Sequence, residues 1–245
     1  MKVFLNGSKG RMGQTLTRLI GEKEHALVGQ ADQGDQLSLE FAGAEVVLDF
    51  SLHHATGPLI EKAAGMNLPV VIGTTGHSET ERNRILDFVK QIPVVWSGNY
   101  SIGVNVLLYL TQLASEKLPL TFEPEIIEAH HRKKIDAPSG TAENLVDAVL
   151  DGRNWSRESV IYGREGMTGE RPNQELGVHA VRGGGIVGDH TVMFAGPDER
   201  IELKHQASDR SIFAEGALRA AEWVIGKPAG LYTMRDVLGL SELPK

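Results

Sequence analysis

The chain opens with MKVFLNGSKGRMG, residues 1–13, in which a short apolar run leads into three evenly spaced glycines. Val3–Leu5 have the composition of a buried strand, and apolar residues recur at helical spacing from Met12 to Ile20. Glycines between a strand and a helix let the backbone approach a phosphate, which N–H groups at the helix N-terminus can bind. The spacing is G-x-x-G-x-x-G, whereas the standard dinucleotide pattern is G-x-G-x-x-G. The context therefore favours a dinucleotide-binding turn, and the alternative is a glycine-rich turn in another kind of α/β protein.

The residues that follow the second predicted strand bear on the choice of dinucleotide. Asp32 lies about 20 residues beyond the glycines, where an acidic side chain commonly binds the adenosine ribose hydroxyls. Gln33 comes next, at a place where an arginine could bind a 2′-phosphate. This pair slightly favours NADH, whereas the cations Lys9 and Arg11 could serve NADPH. The predicted cofactor is NADH, NADPH or both.

Apolar strands alternate with amphipathic helices up to about residue 101. Strands that are apolar throughout indicate a parallel sheet with helices on both faces. The predicted strands are Val3–Leu5, Ala26–Ala31, Val46–Phe50, Pro69–Gly73 and Val94–Trp96.

The pattern changes after residue 101, where a long apolar helix is followed by a strand and a second helix. Residues 151–175 are rich in Gly, Arg and Glu and are predicted to form loops. Three strand candidates then follow without a helix between them, which predicts a second domain of α+β type with an open, mostly antiparallel sheet. These elements are a helix at 102–117, a strand at 125–129, a helix at 139–150, strands at 177–182, 190–195 and 201–206, and a final helix at 211–225.

The composition excludes several classes of protein. Hydrophobic residues make up 41% and charged residues 23%, and the formal net charge of −7 argues against a nucleic-acid partner. The chain contains no cysteine, which excludes disulfides, thiolate metal ligands and cysteine nucleophiles. No signal-peptide pattern is present, and no apolar stretch approaches the roughly 18 residues of a membrane span. We therefore expect a cytoplasmic protein without a membrane partner.

The densest chemistry lies in EAHHRKKIDAPSGT, residues 128–141. His130, His131 and three cations fall within five residues, and such a cluster would hold a small dianion. Ser139 is a candidate N-cap for a helix whose N–H groups at Gly140 and Thr141 can bind a carboxylate. A histidine that titrates near neutrality is also a natural proton donor.

Two other interpretations of this segment remain open. A solvated basic loop is equally consistent with Arg132 and Lys133. A metal site is disfavoured because the chain has no H-E-x-x-H, no cysteine and no third ligand at helical spacing. We therefore predict no metal. The other adjacent pair, His53 and His54, is predicted to consist of surface and capping residues.

Residues 128–141 closely resemble the signature of the bacterial dihydrodipicolinate reductase family, also called 4-hydroxy-tetrahydrodipicolinate reductase, of lysine and diaminopimelate biosynthesis. The unusual glycine spacing at Gly7–Gly13 is also similar to that of the family. Further similar segments occur in the family order and extend the resemblance over nearly the whole chain. These segments are VLDFS at 47–51, GTTG at 73–76, NYSIGVN at 99–105 and MRDVL at 234–238.

The resemblance implies an α/β fold with a Rossmann-type parallel sheet and an inserted α+β substrate and oligomerisation domain. Residues 1–101 and 211–245 would form the dinucleotide-binding domain, and residues 102–210 the substrate-binding and tetramerisation domain. The implied activity is the NAD(P)H-dependent reduction of 4-hydroxy-tetrahydrodipicolinate, or dihydrodipicolinate, to tetrahydrodipicolinate. The implied assembly is a homotetramer that binds a small dicarboxylate.

The family roles transfer by position. His130 would be the proton donor and Lys134 its catalytic partner, while His131, Gly140 and Thr141 would bind the substrate carboxylates. Fourteen positions would line the dinucleotide: Gly7, Ser8, Lys9, Gly10, Arg11, Met12, Asp32, Gly73, Thr74, Thr75, Ser97, Gly98, Asn99 and Tyr100. The segment between Asp32 and Val46 is short, as in the compact branch of the family. Gln33 stands where some members have an arginine, which leaves the cofactor preference open.

Three rival functions are considered. The first is another Rossmann-fold dehydrogenase of a small imino or keto acid, and residues 130–141 disfavour it. The second is a non-catalytic dinucleotide-binding sensor, which usually carries a DNA-binding element; we find no basic helix-turn-helix candidate. The third is a Ser-His-Asp hydrolase, but the chain has no G-x-S-x-G sequence.

Overall fold

The computed structural model describes residues 1–34, 41 and 43–240, and these divide into two compact units. The first unit contains Met1–Ile102 and the described residues from Ser211 onward, and the second contains Gly103–Arg210. Residues 241–245 of the predicted dinucleotide-binding domain lie outside the described residues. Residues 35–40 and 42, in the short segment that follows Asp32, also lie outside them.

The described chain contains eleven strands, seven α-helices and one short 3-10 helix. The strands are β1 Lys2–Asn6, β2 Ala26–Ala31, β3 Val46–Asp49, β4 Val70–Ile72, β5 Pro93–Trp96, β6 Glu123–His130, β7 Val160–Tyr162, β8 Leu176–Arg182, β9 Gly188–Ala195, β10 Arg200–Ala207 and β11 Gly230–Tyr232. The helices are α1 Arg11–Glu22, α2 His53–Gly65, α3 Glu79–Val89, α4 Ile102–Lys117, α5 Gly140–Arg153, α6 Ser211–Val224 and α7 Met234–Leu238. The 3-10 helix is Arg157–Ser159.

The first unit is built on a six-stranded sheet with the order β11-β5-β4-β3-β1-β2. All of its described pairings are parallel. Residues of α1, α6 and α7 pack in one apolar cluster with β1 and β3, and residues of α2 and α3 pack in a second cluster. Every residue of β3 is buried, since helices cover both faces of the sheet. The predicted parallel sheet is confirmed.

The second unit has a five-stranded sheet with the order β10-β9-β6-β8-β7. The prediction of a second, mixed helix-and-strand domain is confirmed, but its sheet is less antiparallel than expected. β9 pairs antiparallel with β10 and β6, whereas β8 pairs parallel with β6 and β7. A crossover that contains α5 joins β6 to β8, and the loop at residues 163–175 joins β7 to β8. Parallel neighbours require long connections of this kind.

Two short strands differ from the sequence prediction. β7 lies within the segment predicted to form loops, and β11 adds an edge strand to the first sheet beside β5. Each is three residues long. A segment of that length is too short to show the alternation on which strand prediction depends.

A close backbone contact joins α6 to the end of β5. A Cβ atom on Gly216 would lie 1.7 Å from the carbonyl oxygen of Tyr100. The Tyr100 ring is buried, and its hydroxyl lies 2.8 Å from the carbonyl oxygen of Ile72 and 3.1 Å from that of Val95. Burial raises the pKa of Tyr100 well above its usual value. Tyr100 therefore anchors the chain where it leaves the first sheet.

We predict that Gly216→Ala lowers the free energy of unfolding by about 1–3 kcal/mol, the usual cost of overpacking a core. The matched control is Gly21→Ala in α1, where a Cβ would meet nothing within 4 Å. That change should raise stability by up to about 1 kcal/mol, because alanine favours the helix. Urea unfolding of both variants measures the difference. Equal stability of the two variants would contradict the close contact.

Candidate functional site

The glycine turn lies between β1 and α1, at the carboxyl end of the first sheet. Gly7 has a φ of +87°, and a Cβ there would lie 2.3 Å from the carbonyl oxygen of Phe50. A Cβ on Gly13 would lie 2.1 Å from the carbonyl oxygen of Gly7. The first and third glycines are therefore required by backbone contacts. They bring the start of α1 against the strand ends, which is how dinucleotide-binding turns are built.

The N-terminus of α1 carries no side-chain cap. Gly10 is its N-cap residue, and the first turn contains no acidic side chain. Uncapped N–H groups together with the helix dipole favour an anion at this point. Lys9 and Arg11 are exposed beside it, whereas Ser8 is buried and Met12 is half-buried. The predicted turn residues thus lie together around one helix N-terminus.

Asp32 is connected directly to the glycine turn. Its carboxylate accepts hydrogen bonds from the backbone N–H groups of Lys9, at 2.6 Å, and Gln33, at 2.7 Å. These two bonds hold the pKa of Asp32 below its usual value, so that the side chain stays ionised at neutral pH. A negative charge therefore sits at the end of β2, where a ribose would be recognised.

A groove of about 430 Å³ runs along this edge of the first unit. Three predicted residues, Gly7, Gly10 and Asp32, lie on its wall. The opposite wall comes from the segment between β3 and the first turns of α2, which the sequence did not single out as cofactor-binding. Its residues are Phe50, Ser51, Leu52, His54, Ala55 and Pro58. His54, predicted to be a surface or capping residue, is exposed but also lines the groove.

The next strand ends supply the remaining predicted cofactor positions. A Cβ on Gly73 would lie 2.1 Å from the Phe50 ring, and the buried Thr74 hydroxyl accepts the Ser51 N–H at 2.9 Å. Thr75 lies opposite Gly98, where a Cβ would be 3.7 Å from the Thr75 methyl group. These residues bring the ends of β3, β4 and β5 together.

The turn after β5 is held by its own side chains. The Ser97 hydroxyl donates to the Asn99 carbonyl at 2.8 Å, and the Asn99 amide oxygen accepts the Ser101 N–H at 2.9 Å. The Tyr100 side chain points into the core, so that a role of this residue at a ligand would use its backbone.

Beneath the groove lies a buried carboxyl group. Asp49 has no exposed surface and accepts from Asn6 at 2.9 Å, from Ser51 at 2.5 Å and from Thr56 at 2.6 Å. The His77 ring nitrogen Nε2 lies 2.9 Å from the same Thr56 hydroxyl. Because that hydroxyl donates its one proton to Asp49, Nε2 of His77 is the donor. This network joins the ends of β1 and β3 to the first turn of α2.

In the second unit, the predicted proton donor contacts a buried acid. Glu128 has no exposed surface, and its Oε2 lies 2.6 Å from Nδ1 of His130. Arg182 donates to both carboxylate oxygens, at 2.8 and 2.6 Å, and the backbone N–H of Ser139 donates at 3.1 Å. Glu128 therefore connects His130 to the residue that caps α5.

A second histidine packs against the first. The His190 ring centroid lies 5.2 Å from that of His130, in an edge-to-face arrangement, and its Nε2 lies 3.0 Å from the Ser139 hydroxyl. The same hydroxyl caps α5 by accepting the Ala142 N–H at 3.2 Å. The predicted N-cap is thus confirmed, with His190 as an additional partner.

The groups around His130 shift its pKa in opposite directions. Burial lowers the pKa of His130 and outweighs the opposite effect of the bond to Glu128, while Lys134 and Arg182 lower it further. Burial would raise the pKa of Glu128, but its bonds to Arg182 and His130 hold the value below normal. Burial, with His130 nearby, lowers the pKa of His190 to about 4. His190 is therefore neutral at physiological pH.

The other predicted substrate residues lie in the connection from β6 to α5. Lys134 is partly buried and pairs with Asp136 at 2.8 Å. Nδ1 of His131 is buried and has no hydrogen-bond partner among the described residues. Gly140 and Thr141 form the first turn of α5, and a Cβ on Gly140 would meet nothing within 4 Å.

Sequence reasoning did not assign roles to three residues of this cluster: Glu128, Arg182 and His190. Glu128 is two residues before His130 and therefore shares a strand face with it, which is a usable signal. Arg182 is the register partner of His130 through the parallel β6–β8 pairing, which was not predicted. His190 is placed opposite Glu128 by the antiparallel β6–β9 pairing.

Among residues 1–34, 41 and 43–240, no three His, Asp or Glu side chains come together in a way that could hold a metal ion. Within the same ranges no helix is both long and apolar enough to cross a membrane.

We predict that Thr56→Val lowers the free energy of unfolding by about 1–3 kcal/mol, because it removes one of the hydrogen bonds to the buried Asp49 carboxylate and the acceptor of the His77 N–H. The control is Thr111→Val. Thr111 is equally buried, but its hydroxyl has no partner among the described residues, so its loss should be neutral or stabilising. Urea unfolding of the two isosteric changes is the measurement. Equal effects would show that the Asp49 network contributes nothing.

Comparisons with known proteins agree with this geometry. The family model "Dihydrodipicolinate reductase, N-terminus" matches residues 1–100, and the corresponding C-terminus model matches residues 103–238. The 4-hydroxy-tetrahydrodipicolinate reductase of Akkermansia muciniphila is 49% identical over 99% of this chain and 100% of its own length. The enzyme of the same name from Thiobacillus denitrificans is 46% identical over 98% of this chain and 99% of its own length.

Among solved structures, a dipicolinate-bound dihydrodipicolinate reductase from Paenisporosarcina sp. TG-14 superimposes with a TM-score of 0.77. It is 21% identical and covers 95% of this chain and 97% of its own, so it bears on the fold alone. A probable dehydrogenase from Thermotoga maritima is more distant, with a TM-score of 0.59 and 11% identity over 98% of this chain and 93% of its own. The two family models and the full-length relatives show that this chain belongs to the dihydrodipicolinate reductase family.

Proposed function

We propose that this chain catalyses the NAD(P)H-dependent reduction of 4-hydroxy-tetrahydrodipicolinate to tetrahydrodipicolinate in lysine and diaminopimelate biosynthesis. The observation that carries the proposal is the pairing of His130 with the N-terminus of α5 through Glu128. A proton donor fixed beside a helix N-terminus suits the reduction of an anionic substrate. The relatives that share this sequence over their full length bear the same enzyme name.

The domain predicted at residues 1–101 and 211–245, whose described part lies in the first unit, is proposed to hold the dinucleotide. The fit rests on the glycine turn, where Cβ atoms on Gly7 or Gly13 would strike backbone, and on the uncapped N-terminus of α1. The proposed contacts are Gly7–Met12, Asp32, Gly73–Thr75 and Ser97–Tyr100, with a backbone role for Tyr100. The reduced dinucleotide supplies a hydride when bound.

The domain predicted at residues 102–210, which matches the second unit apart from Ile102, is proposed to bind the dicarboxylate. The N–H groups of Gly140 and Thr141 lie in the first turn of α5 and can receive one carboxylate. His131, whose buried Nδ1 has no partner among the described residues, is proposed as a further ligand. Fixing both carboxylates orients the ring for reaction.

4-Hydroxy-tetrahydrodipicolinate first loses its hydroxyl group as water to give dihydrodipicolinate. The chemical step then adds a hydride and a proton to dihydrodipicolinate, which yields tetrahydrodipicolinate. Negative charge develops towards the ring nitrogen and the adjacent carbon as the hydride arrives. The ammonium of Lys134 is proposed to stabilise this charge, and His130 to deliver the proton. Lys134 would exchange its ion pair with Asp136, which lies on the surface, for the substrate. No metal is included in this proposal.

The cofactor preference is proposed to lie with NADH, with NADPH also accepted. Asp32 is held ionised by two backbone N–H groups, and a fixed negative charge disfavours a neighbouring 2′-phosphate. Gln33 contributes no positive charge to offset it, whereas Lys9 and Arg11 supply cations at the turn.

The assembly is proposed to be a cytoplasmic homotetramer formed through the open face of the second sheet. In β6, Ile126 is fully buried under α5, whereas the next residue, Ile127, faces away and is 40% exposed. Val181 in β8 is 48% exposed. An apolar strand face of this kind is suited to burial against another subunit.

We predict that His130→Ala lowers kcat for dihydrodipicolinate by about 10²–10⁴-fold, the range for loss of a general acid. The KM for the dinucleotide should stay unchanged, because His130 belongs to the other unit. Steady-state oxidation of NADH with freshly prepared substrate is the assay. Wild-type turnover in the variant would eliminate His130 as proton donor.

Lys134→Ala is expected to lower kcat and raise the KM for dihydrodipicolinate, since it removes the cation that stabilises the developing charge. Lys133→Ala is the matched control, because Lys133 is exposed one residue away and has no proposed role. The same assay compares the two variants. A change confined to the KM of the cofactor would show that Lys134 is wrongly placed.

Gln33→Arg is expected to raise the ratio of kcat/KM for NADPH over NADH by about tenfold, the effect of one charge-assisted hydrogen bond. Gln91→Arg adds the same charge at an exposed position outside the groove and should leave the ratio unchanged. Both ratios are measured with saturating substrate. If Gln33→Arg behaves like the control, Gln33 does not face the adenosine ribose.

A further inference from the structure

The carboxylate of Glu128 is fully engaged. Oε2 faces His130 at 2.6 Å and Arg182 at 2.8 Å, while Oε1 faces Arg182 at 2.6 Å and the Ser139 N–H at 3.1 Å. An ionised carboxylate has about four acceptor sites, so that these four contacts use them all. The group has no exposed surface, which means that no water competes for them.

This arrangement determines which nitrogen of His130 carries its proton. Because Glu128 is ionised and can only accept, Nδ1 of His130 must be the donor. The other nitrogen, Nε2, is then the atom that can exchange a proton with a substrate. A Cβ on Gly188 would lie 3.0 Å from Nε2, so that the glycine leaves room beside this nitrogen.

The same carboxylate also ties His130 to the proposed carboxylate-binding end of α5. Its bond to Ser139 holds the N-cap residue, and the Ser139 hydroxyl contacts His190, whose ring packs edge-to-face on His130. Arg182 clamps the carboxylate from β8 with two parallel hydrogen bonds, a geometry that limits rotation. These contacts therefore fix the distance between His130 and the start of α5.

We propose that Glu128 is a positioning residue that fixes the tautomer of His130 and holds its Nε2 in register with the carboxylate-binding N-terminus of α5. This role rests on the proposed function, since it gives His130 a proton to deliver. Arg182 supports it by keeping Glu128 ionised, and neutral His190 supports it by packing on the ring.

The test is Glu128→Gln, which preserves shape but removes the charge. We expect kcat to fall by about 10²-fold, with the KM of the dinucleotide unchanged, because the ring loses its fixed tautomer. The pH profile gives a second readout that a merely structural role would not move. His130 acts as an acid, so activity falls as the pH rises through its pKa in the complex.

The direction of the pH shift follows from the groups that face His130. Glu128 raises the pKa of His130, whereas burial, Lys134 and Arg182 lower it, and His190 is neutral. Removing the carboxylate should therefore move the falling limb of kcat to lower pH. Glu125→Gln is the control, because Glu125 also lies on β6 and is bonded to Arg164, Arg171 and His179. Glu125→Gln should leave the falling limb of kcat at the same pH as in the wild-type chain.

A measurement on the wild-type chain keeps the proposal testable even where the variant fails to fold. Nitrogen-15 NMR of the histidine side chains reports which ring nitrogen is protonated, and His130 is assigned by comparison with His130→Ala. We expect the neutral ring to carry its proton on Nδ1. A proton on Nε2 of the neutral ring would overturn the proposal. So would a kcat–pH profile of Glu128→Gln whose falling limb coincides with that of Glu125→Gln. If the wild-type chain did not reduce dihydrodipicolinate, the proposed function would fail, while the tautomer result would still decide the placement of His130.

Discussion

A carboxylate that is removed from water needs hydrogen-bond donors inside the protein, and the second unit is organised by that constraint at Glu128. Taking such a charge out of water costs several kcal/mol unless it is paired and bonded. Three elements supply the partners: β6 itself through His130, β8 through Arg182, and the start of α5 through Ser139. One side chain therefore connects the neighbouring strands β6 and β8 with the start of the crossover helix α5.

The first unit also contains a buried carboxyl group, but its hydrogen-bond partners are of a different kind. Asp49 receives its hydrogen bonds from the neutral side chains of Asn6, Ser51 and Thr56. These donors come from neighbouring strand ends and the first turn of α2, directly below the groove. Because these partners are neutral, they add no positive charge below the groove. Glu128, by contrast, is ion-paired and is hydrogen-bonded to a histidine that can gain or lose a proton. The two buried acids therefore differ in consequence: Asp49 supports the shape of the groove, and Glu128 supports the proposed proton transfer.

Much of the first unit could be predicted from sequence because its signals are local. The apolar runs of β1, β3 and β4, the helical spacing in α1 and the three glycines each lie within a few consecutive residues. The position of Asp32 at the end of β2 also followed from its place after an apolar run. The wall that contains Phe50 and Ala55 could not be found in this way, because its role depends on how the segment from β3 to α2 lies opposite the glycine turn.

The second unit was predicted less completely, because several of its contacts join residues that are far apart in the sequence. Residues 128–141 were singled out by composition, and the N-cap at Ser139 was identified correctly. The partners Arg182 and His190 are 54 residues from Glu128 and 51 residues from Ser139 along the chain, and strand register alone brings them in. A sheet expected to be mostly antiparallel would not have placed Arg182 opposite His130. Long-range pairing is the information that a single sequence does not display.

The proposed reaction transfers a hydride from a nicotinamide dinucleotide to a cyclic dicarboxylate. It is tested most directly by incubating the chain with NADH that carries deuterium at the transferable position and with freshly prepared dihydrodipicolinate. Mass spectrometry of the product then locates the label. We expect tetrahydrodipicolinate with a single deuterium on a ring carbon. Product without deuterium, or no product with either NADH or NADPH, would contradict it.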